Sequence, residues 1–336
     1  MASADHPATI YEVAAAAGVS PSTVSRTFSR PGRVGVGTAD RVRAVAAELG
    51  YREATTYRPL TTSPNNRIGL AIADVSNPVY WDILRGAEVQ AEKLNYSIVM
   101  MYTQVSAVKE RANLNRLLPI IDGLIVASSQ LSDTVLRSLS KTLPVVVLNR
   151  YIGGLPSVTP DTAHGMRQTI THLSQLGHTT VHYLSGPESS WISGMRWLSV
   201  RTAAASMGFT AHRIGPVAPT IEGGASASGL VTARRVSAVI CFNDLMAMGL
   251  MKALALDGYS VPQDISVIGC DDIVTSELMS PGLTTIAAPS GVLGDAAVKH
   301  IYAILNGVKP QLTTPITIPV RLKIRGSTGT RPKNRT

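Results

Sequence analysis

The chain has 336 residues, enough for two or three domains with cores of their own. Its formal charge of +9 is uneven: residues 9–60 hold seven arginines against four carboxylates, residues 61–320 hold 18 basic and 17 acidic groups, and residues 321–336 hold six basic groups and no acid. The neutral middle excludes a chain coated in nucleic acid along its length, two cysteines give no disulfide framework or metal cluster, and no apolar run approaches the ~18 residues that span a bilayer.

The first predicted element starts at Thr9. Thr9-Ile10-Tyr11-Glu12 has the form of a capping box, and Ile10, Val13, Ala14 and Ala17 fall on one helical face. Gly18 stops this helix. Ser20 and Pro21 open a second one, which turns Val24 and Phe28 inward and leaves Ser22, Ser25, Arg26 and Ser29 polar. A third carries Val42, Val45, Ala46 and Leu49 at the same spacing, with Gly50 at its end. Short helix, glycine turn, polar second helix and buttressing third helix make a helix-turn-helix unit. A helical subdomain that touches no nucleic acid has the same outline. The alanine run 14–17 has no basic segment before it and Glu12 interrupts it, so it does not read as an export signal, and a cytoplasmic protein is expected.

Residues 52–67 lack periodicity and are rich in Thr, Pro and Asn, as a linker is. From Ile68 onward apolar strand runs alternate with helical stretches. The strand runs include residues 68–73, 97–101, 123–126, 145–148, 181–184, 238–241 and 266–269; the helical ones include 80–94, 165–176, 191–207, 245–257 and 293–306. This alternation implies parallel sheets covered by helices on both faces, and the length fits two sheets dividing near Asp161. Cys241 and Cys270 end apolar runs and read as buried reduced thiols. No GxGxxG follows the first strand and no P-loop occurs, so no cofactor and no metal is expected.

In open α/β sheets ligands sit beyond the C-terminal strand ends. The polar residues there are Asp74, Asn77, Ser128, Ser129, Asn149, Asp161, Asn243 and Asp271, with Tyr80 and Trp81 on the first helix of the core. Carboxylates and amides suit a hydroxyl-rich ligand, since each hydroxyl both donates and accepts, and an aromatic pair can face a sugar's C–H surface. Other roles fit the same residues. Asp271-Asp272 and Asn243-Asp244 can cap the elements that follow, and Tyr80 and Trp81 can belong to the core. Trp191 and Trp197 read as packing, and His178 as a turn or strand-start residue.

The wording of the first segment, Thr9-Ile10-Tyr11-Glu12-Val13-Ala14 and then Ala17-Gly18-Val19-Ser20-Pro21-Ser22-Thr23-Val24-Ser25-Arg26, closely resembles the lactose/galactose-repressor (LacI/GalR) family of bacterial transcription regulators. The resemblance runs through Val34 and Thr38 to Glu48-Leu49-Gly50-Tyr51. It resurfaces at Asp74-Val75-Ser76-Asn77-Pro78, Leu176-Gly177-His178, Ser185-Gly186-Pro187 and Asn243-Asp244-Leu245-Met246-Ala247. Further matches are Val267-Ile268-Gly269-Cys270-Asp271-Asp272, Leu283-Thr284-Thr285-Ile286 and Arg325-Gly326-Ser327-Thr328.

The resemblance implies an N-terminal all-α helix-turn-helix domain (8–52), a hinge (53–66) and an α/β core of two doubly wound parallel-sheet subdomains, similar in shape to periplasmic binding proteins. The core subdomains would take residues 67–161 with 288–319, and 162–287 with 320–328, leaving a disordered basic tail at 329–336. It further implies a homodimeric repressor whose heads read pseudo-palindromic operator DNA and whose cleft binds a small polar effector, most often a sugar. The residues expected at DNA are Thr9, Ser20, Pro21, Ser22, Thr23, Ser25, Arg26 and Arg33, with Leu60 matching the family's hinge leucine. Arg196 matches the family's effector-binding arginine; a surface ion pair is its alternative role.

Three core positions depart from the family pattern: Pro219 stands where many relatives carry an aromatic ring, Asp161-Thr162 replaces Asp-Asn, and Asn149 replaces Asp. In the linker, Pro59 would remove a helical N–H and clash with the carbonyl of Thr55 if the hinge formed a full helix. A cytoplasmic sugar-binding protein without regulatory action is the rival reading, and an α/β enzyme a weaker one, since no nucleophile–base pair is visible.

Overall fold

The computed structural model describes residues 9–29, 32–49, 51, 65–310 and 312–332. The chain divides into two units, Met1–Ser63 and Pro64–Thr336.

In the first unit three helices follow one another: α1 (Ile10–Ala17), α2 (Pro21–Ser29) and α3 (Val36–Glu48). The capping box forms. The Thr9 N–H donates to Glu12 Oε2 at 2.6 Å, and the Glu12 N–H donates to Thr9 Oγ1 at 3.4 Å. Gly18, at φ 63°, ends α1 in the left-handed region that a Cβ disfavours. Val13, Ala14, Ala17, Val24, Val42 and Ala46 form the core of this unit, with Phe28 and Tyr51 packed ring to ring at 6.0 Å. One expectation is corrected: Leu49 is 42% exposed. The buried stripe of α3 starts earlier, at Ala39, and the helix has ended before it reaches Leu49.

The second unit opens with β1 (Arg67–Ile72), α4 (Val79–Lys93), β2 (Ser97–Tyr102), α5 (Ala107–Leu117), β3 (Gly123–Ala127), α6 (Asp133–Leu139), β4 (Val145–Leu148) and β5 (Ser157–Pro160). Next come α7 (Thr162–Gln175), β6 (Thr180–Leu184), α8 (Trp191–Ser206), β7 (Thr210–Ile214), α9 (Ile221–Ser226), α10 (Ser228–Thr232), β8 (Ala238–Cys241) and α11 (Asp244–Leu256). The chain closes with β9 (Ser266–Cys270), α12 (Thr275–Leu278), β10 (Thr284–Ala287), α13 (Ser290–Leu305), β11 (Ile316–Ile318) and β12 (Arg321–Lys323).

Two sheets result, ordered β11-β5-β4-β3-β1-β2 and β12-β10-β9-β8-β6-β7. All pairings are parallel except β10–β12. The chain leaves the first sheet after Pro160, returns to it after Ala287, and crosses again after Ile318. Strand alternation assigns the two faces of the first sheet. Ile68, Leu70 and Ile72 pack with α4 and α13, whereas Ala71 packs with Leu114, Leu117 and Leu136 of α5 and α6. Helices α4 and α13 meet backbone to backbone, since a Cβ on Gly86 would overlap the carbonyl of Gly291 and one on Gly294 that of Ile83.

The structure adds elements absent from the runs read off the sequence, notably the polar strand β7 and the charged helix α5. The tail is also corrected. It does not loosen at 329: the Arg331 N–H donates to Leu176 O at 2.8 Å and the Gly329 N–H to Ser266 Oγ at 3.1 Å, because the end of α7 and the start of β9 offer these acceptors. Lys333 and Arg335 lie outside the described residues. Among the described residues no helix is long and apolar enough to cross a membrane, and no cluster of three or more His, Cys, Asp or Glu is placed to hold a metal.

Candidate functional site

The DNA-facing candidates sit on α2 and its flanks. Ser22, Ser25, Arg26 and Arg33 are exposed, and Arg26 follows Ser22 by one helical turn on the same face. Thr9 is engaged by Glu12. Ser20 caps α2, its Oγ accepting from the Thr23 N–H at 3.2 Å and lying 2.8 Å from Ser22 Oγ and 2.9 Å from Thr23 Oγ1. Pro21 and Thr23 are half-buried. Thr27, unremarked in the sequence, is buried and donates back to Thr23 O at 2.9 Å. Leu60 and Pro59 lie outside the described residues.

The second constellation lies at the C-terminal strand ends of the core. Non-glycine residues there take positive φ, among them Ser128 (60°) after β3, Asn149 (59°) after β4, and Asp271 (133°) and Asp272 (60°) after β9. Such conformations cost roughly 1–3 kcal/mol each and persist only where surrounding contacts over-determine them.

Arg196 on α8 is central. It is 8% exposed, which removes the surface ion pair as its role. Its guanidinium donates to Phe242 O and, at 2.8 Å, to Asp271 Oδ1, and stands 5.0 Å from the Phe242 ring centroid. Burial opposes its charge most, yet Asp271, Cys270 and Tyr183 together lift the pKa above the ordinary arginine value. Burial in turn raises the Asp271 pKa, against the pull of Arg196. Tyr80 of α4, packed on the first sheet, is buried and near enough to feel the charges of this pair. Burial lifts its phenol to about 12; a hydrogen bond from Ser128 lowers it, Asp271 and Asp74 raise it, and Arg196 lowers it. The phenol therefore stays protonated and available as a donor. Tyr80 and Ser128 of the first half thus lie within electrostatic reach of the Arg196–Asp271 pair of the second.

Several expected ligand groups are occupied locally. Asp74 Oδ1 accepts from the N–H and hydroxyl of Ser76 at 2.8 and 2.7 Å, and Asn77 Oδ1 accepts from the Val79 N–H at 3.1 Å. Asp161 caps α7 through the His164 N–H at 2.9 Å. Asn243 caps α11 through the Met246 N–H at 2.9 Å and donates to Pro219 O at 3.0 Å. The Asn149 N–H donates to Val158 O at 3.0 Å. Trp81 is 48% exposed and its indole donates to Val75 O at 3.1 Å. Trp197 stacks on Tyr183 at 6.1 Å, as packing requires. His178 is buried, bonded to Ser237 Oγ at 3.1 Å and Gly329 O at 3.1 Å.

The sequence reading missed what supports the site. Asp244, 1% exposed, accepts from Thr285 Oγ1 (2.6 Å), Ser276 Oγ (2.6 Å) and the Ile273 N–H (3.0 Å), holding the turn that carries Asp271. Burial raises its pKa to about 6. Asp272 pairs with Lys323 at 2.6 Å and Arg325 at 2.7 Å, so the double aspartate serves two purposes. Only proximity in space joins these groups; their spacing along the chain carries no signal.

Residues 9–53 match the model of bacterial regulatory proteins of the lacI family, and residues 170–328 match the periplasmic binding protein-like domain. The HTH-type transcriptional regulator DegA of Bacillus subtilis (strain 168) is 30% identical over 331 residues, covering 95% of this chain and 98% of its own. Among solved structures, the lac repressor dimer bound to operator and the anti-inducer ONPF has 26% identity and a TM-score of 0.71, covering 96% of this chain and 100% of that one. A LacI family transcriptional regulator from Enterococcus faecium with bound ribose has 27% identity and a TM-score of 0.70, covering 78% and 98%. With a family-matching helix-turn-helix head, two doubly wound sheets later in the chain and full-length relatives that are regulators and not enzymes, this chain is a DNA-binding transcription regulator belonging to the lacI family.

Proposed function

We propose that the protein is a repressor whose operator affinity is set by a sugar bound between the two sheets of its core. Two copies would present their heads to a pseudo-palindromic operator, with Ser22, Ser25, Arg26 and Arg33 towards the DNA. In this reading the head spans residues 8–52 and the hinge 53–66. The core halves are 67–161 with 288–319, and 162–287 with 320–328. The protein works in the cytoplasm, where its DNA is.

The observation that carries the effector reading is the convergence of Arg196 and Asp271 with Tyr80 and Ser128. A charged pair with fixed donors and acceptors on one side, and a protonated phenol with a hydroxyl on the other, matches a ligand whose hydroxyls both give and take hydrogen bonds. The lac repressor dimer on operator DNA supports the dimer and the DNA, and the ribose-bound regulator supports the sugar. Such control is a coupling free energy between cleft and head, so a sugar that lowers operator affinity must itself bind more weakly to the operator complex. The test selects operators from a random-sequence DNA pool, then titrates sugars against the selected complex. A sugar that shifts operator affinity and binds equally well to Met1–Thr336 and to an Arg196→Ala variant would sink the cleft assignment.

A further inference from the structure

Helix α5 has a buried stripe at positions 110, 114 and 117, the spacing of one helical face. Two of these positions hold leucine. The first holds Glu110, which is 0% exposed. A carboxylate on an apolar stripe is costly unless it is fully hydrogen-bonded, and what bonds it here is the turn that follows β3. Ser129 Oγ donates to Glu110 Oε1 at 2.5 Å and the Gln130 N–H donates to Oε2 at 2.9 Å, while the Leu131 N–H donates to Ser129 Oγ at 3.1 Å.

The carbonyls of the same turn are held by another side chain. Arg150 donates to Leu131 O at 3.0 Å and to Ser129 O at 3.5 Å, and pairs with Asp133. Glu110 therefore takes the donors of this turn and Arg150 its acceptors. The turn begins at Ser128, which sits at φ 60° and is near enough to the buried Tyr80 phenol for its hydroxyl to lower that group's pKa. Serine gains nothing intrinsic from that backbone conformation, so the contacts on residues 129–131 must hold it.

We propose that Glu110 is a positioning residue for the effector cleft. Its carboxylate fixes the turn at residues 128–131, and through it the Ser128 hydroxyl opposite Tyr80, so that Glu110 sets effector affinity without touching the effector. This rests on the cleft reading above.

The test is calorimetric titration of the full chain with D-ribose, D-glucose, D-galactose and maltose. Glu110→Ala weakens the tightest-binding of these at least ten-fold. Glu110→Gln recovers most of the loss, because its amide oxygen still accepts from the Gln130 N–H. Ser128→Gly, which tolerates the backbone angle and deletes the hydroxyl, reproduces the loss, and adding Glu110→Ala to it causes no further one. Leu114→Ala, one turn along α5, lowers Tm and leaves affinity unchanged. Equal losses from Glu110→Ala with and without Ser128, or a loss from Leu114→Ala of the same size, overturn the proposal. If none of these sugars binds the wild-type chain, the sugar reading fails by itself and amide hydrogen exchange decides this one. Faster exchange at Gln130 and Leu131 in Glu110→Ala supports it; wild-type rates overturn it.

Discussion

Replacing Asp244 by Asn tests whether a buried carboxylate is charged at a cost to the fold. Asp244 accepts three hydrogen bonds, two from hydroxyls and one from the Ile273 N–H. Burial nonetheless wins and lifts its pKa from the ordinary 3.8 to about 6, with Asp271 adding to the rise. A carboxylate whose folded pKa is raised stabilises the fold when protonated. That contribution is complete below the unfolded value near 4 and is lost as the pH rises through about 6. A gap of about two pKa units corresponds to roughly 3 kcal/mol. Asparagine can meet the same partners: its oxygen accepts from Ser276 and the Ile273 N–H, and its NH2 donates to Thr285, whose hydroxyl can turn to accept. Asp244→Asn then imitates the protonated form. It should be more stable than the wild type by up to ~3 kcal/mol at pH 7.5, with the gain vanishing towards pH 4. Urea unfolding at a series of pH values, followed by tryptophan fluorescence, measures the difference; the other carboxylates titrate alike in both proteins and cancel. Trp197, stacked on Tyr183 in the same half, makes the signal local. A variant less stable at pH 7.5, with a deficit that shrinks on acidification, would refute the reasoning: the three donors would then hold the carboxylate below its ordinary pKa.

Arg26→Ala should cost roughly 1–3 kcal/mol on the preferred operator and little on random DNA; equal losses on both, in salt-matched binding assays, would reduce Arg26 to a phosphate contact. Arg196→Ala leaves Asp271 buried without its cation, so calorimetry should register at least a ten-fold loss of effector affinity and unfolding experiments a loss of ~3–5 kcal/mol. Gly86→Ala should destabilise by ~1–3 kcal/mol, because its Cβ meets the Gly291 carbonyl. Gly194→Ala, inside α8 with nothing within 4 Å of the added carbon, should instead stabilise by ~0.5–1 kcal/mol; thermal unfolding of the two side by side decides both.

The buried strands were legible because a strand covered on both faces must be apolar throughout, as Val145–Leu148 and Ala238–Cys241 are. Helices α4, α7 and α13 announced themselves through a stripe at helical spacing. β7 did not, since Thr210, His212 and Arg213 are exposed on an edge strand and carry no apolar signal. α5 was hidden by Glu110, because a carboxylate in a charged helix reads as solvated. At the cleft, the strand-end rule brought out Asp271 and Ser128, and the family resemblance brought out Arg196. What the sequence could not separate was ligand contact from capping. Asp74, Asn77, Asp161 and Asn243 are the residue types that do either job, and each is found bonded to a nearby backbone N–H.

The two halves of the core solve one problem twice. The turns at the strand ends after β3 and β9 take unfavourable backbone conformations, and their N–H groups need partners that hold them so. In the first half Glu110 reaches from α5 to the turn after β3; in the second Asp244 reaches from α11 to the turn after β9. Neither carboxylate faces solvent, so each would fix a turn without touching a ligand bound as proposed above. This matters for regulation, because a ligand can shift an equilibrium only by its difference in affinity between two arrangements of the halves. With each turn clamped to its own sheet, Ser128 and Tyr80 move with the first half and Arg196 and Asp271 with the second. A ligand touching both groups then loses contacts when the halves reorient, instead of being followed by soft turns. On the proposed reading, rigid turns would convert binding in the cleft into work on the relative position of the two sheets, the quantity that a coupled DNA-binding head would sense.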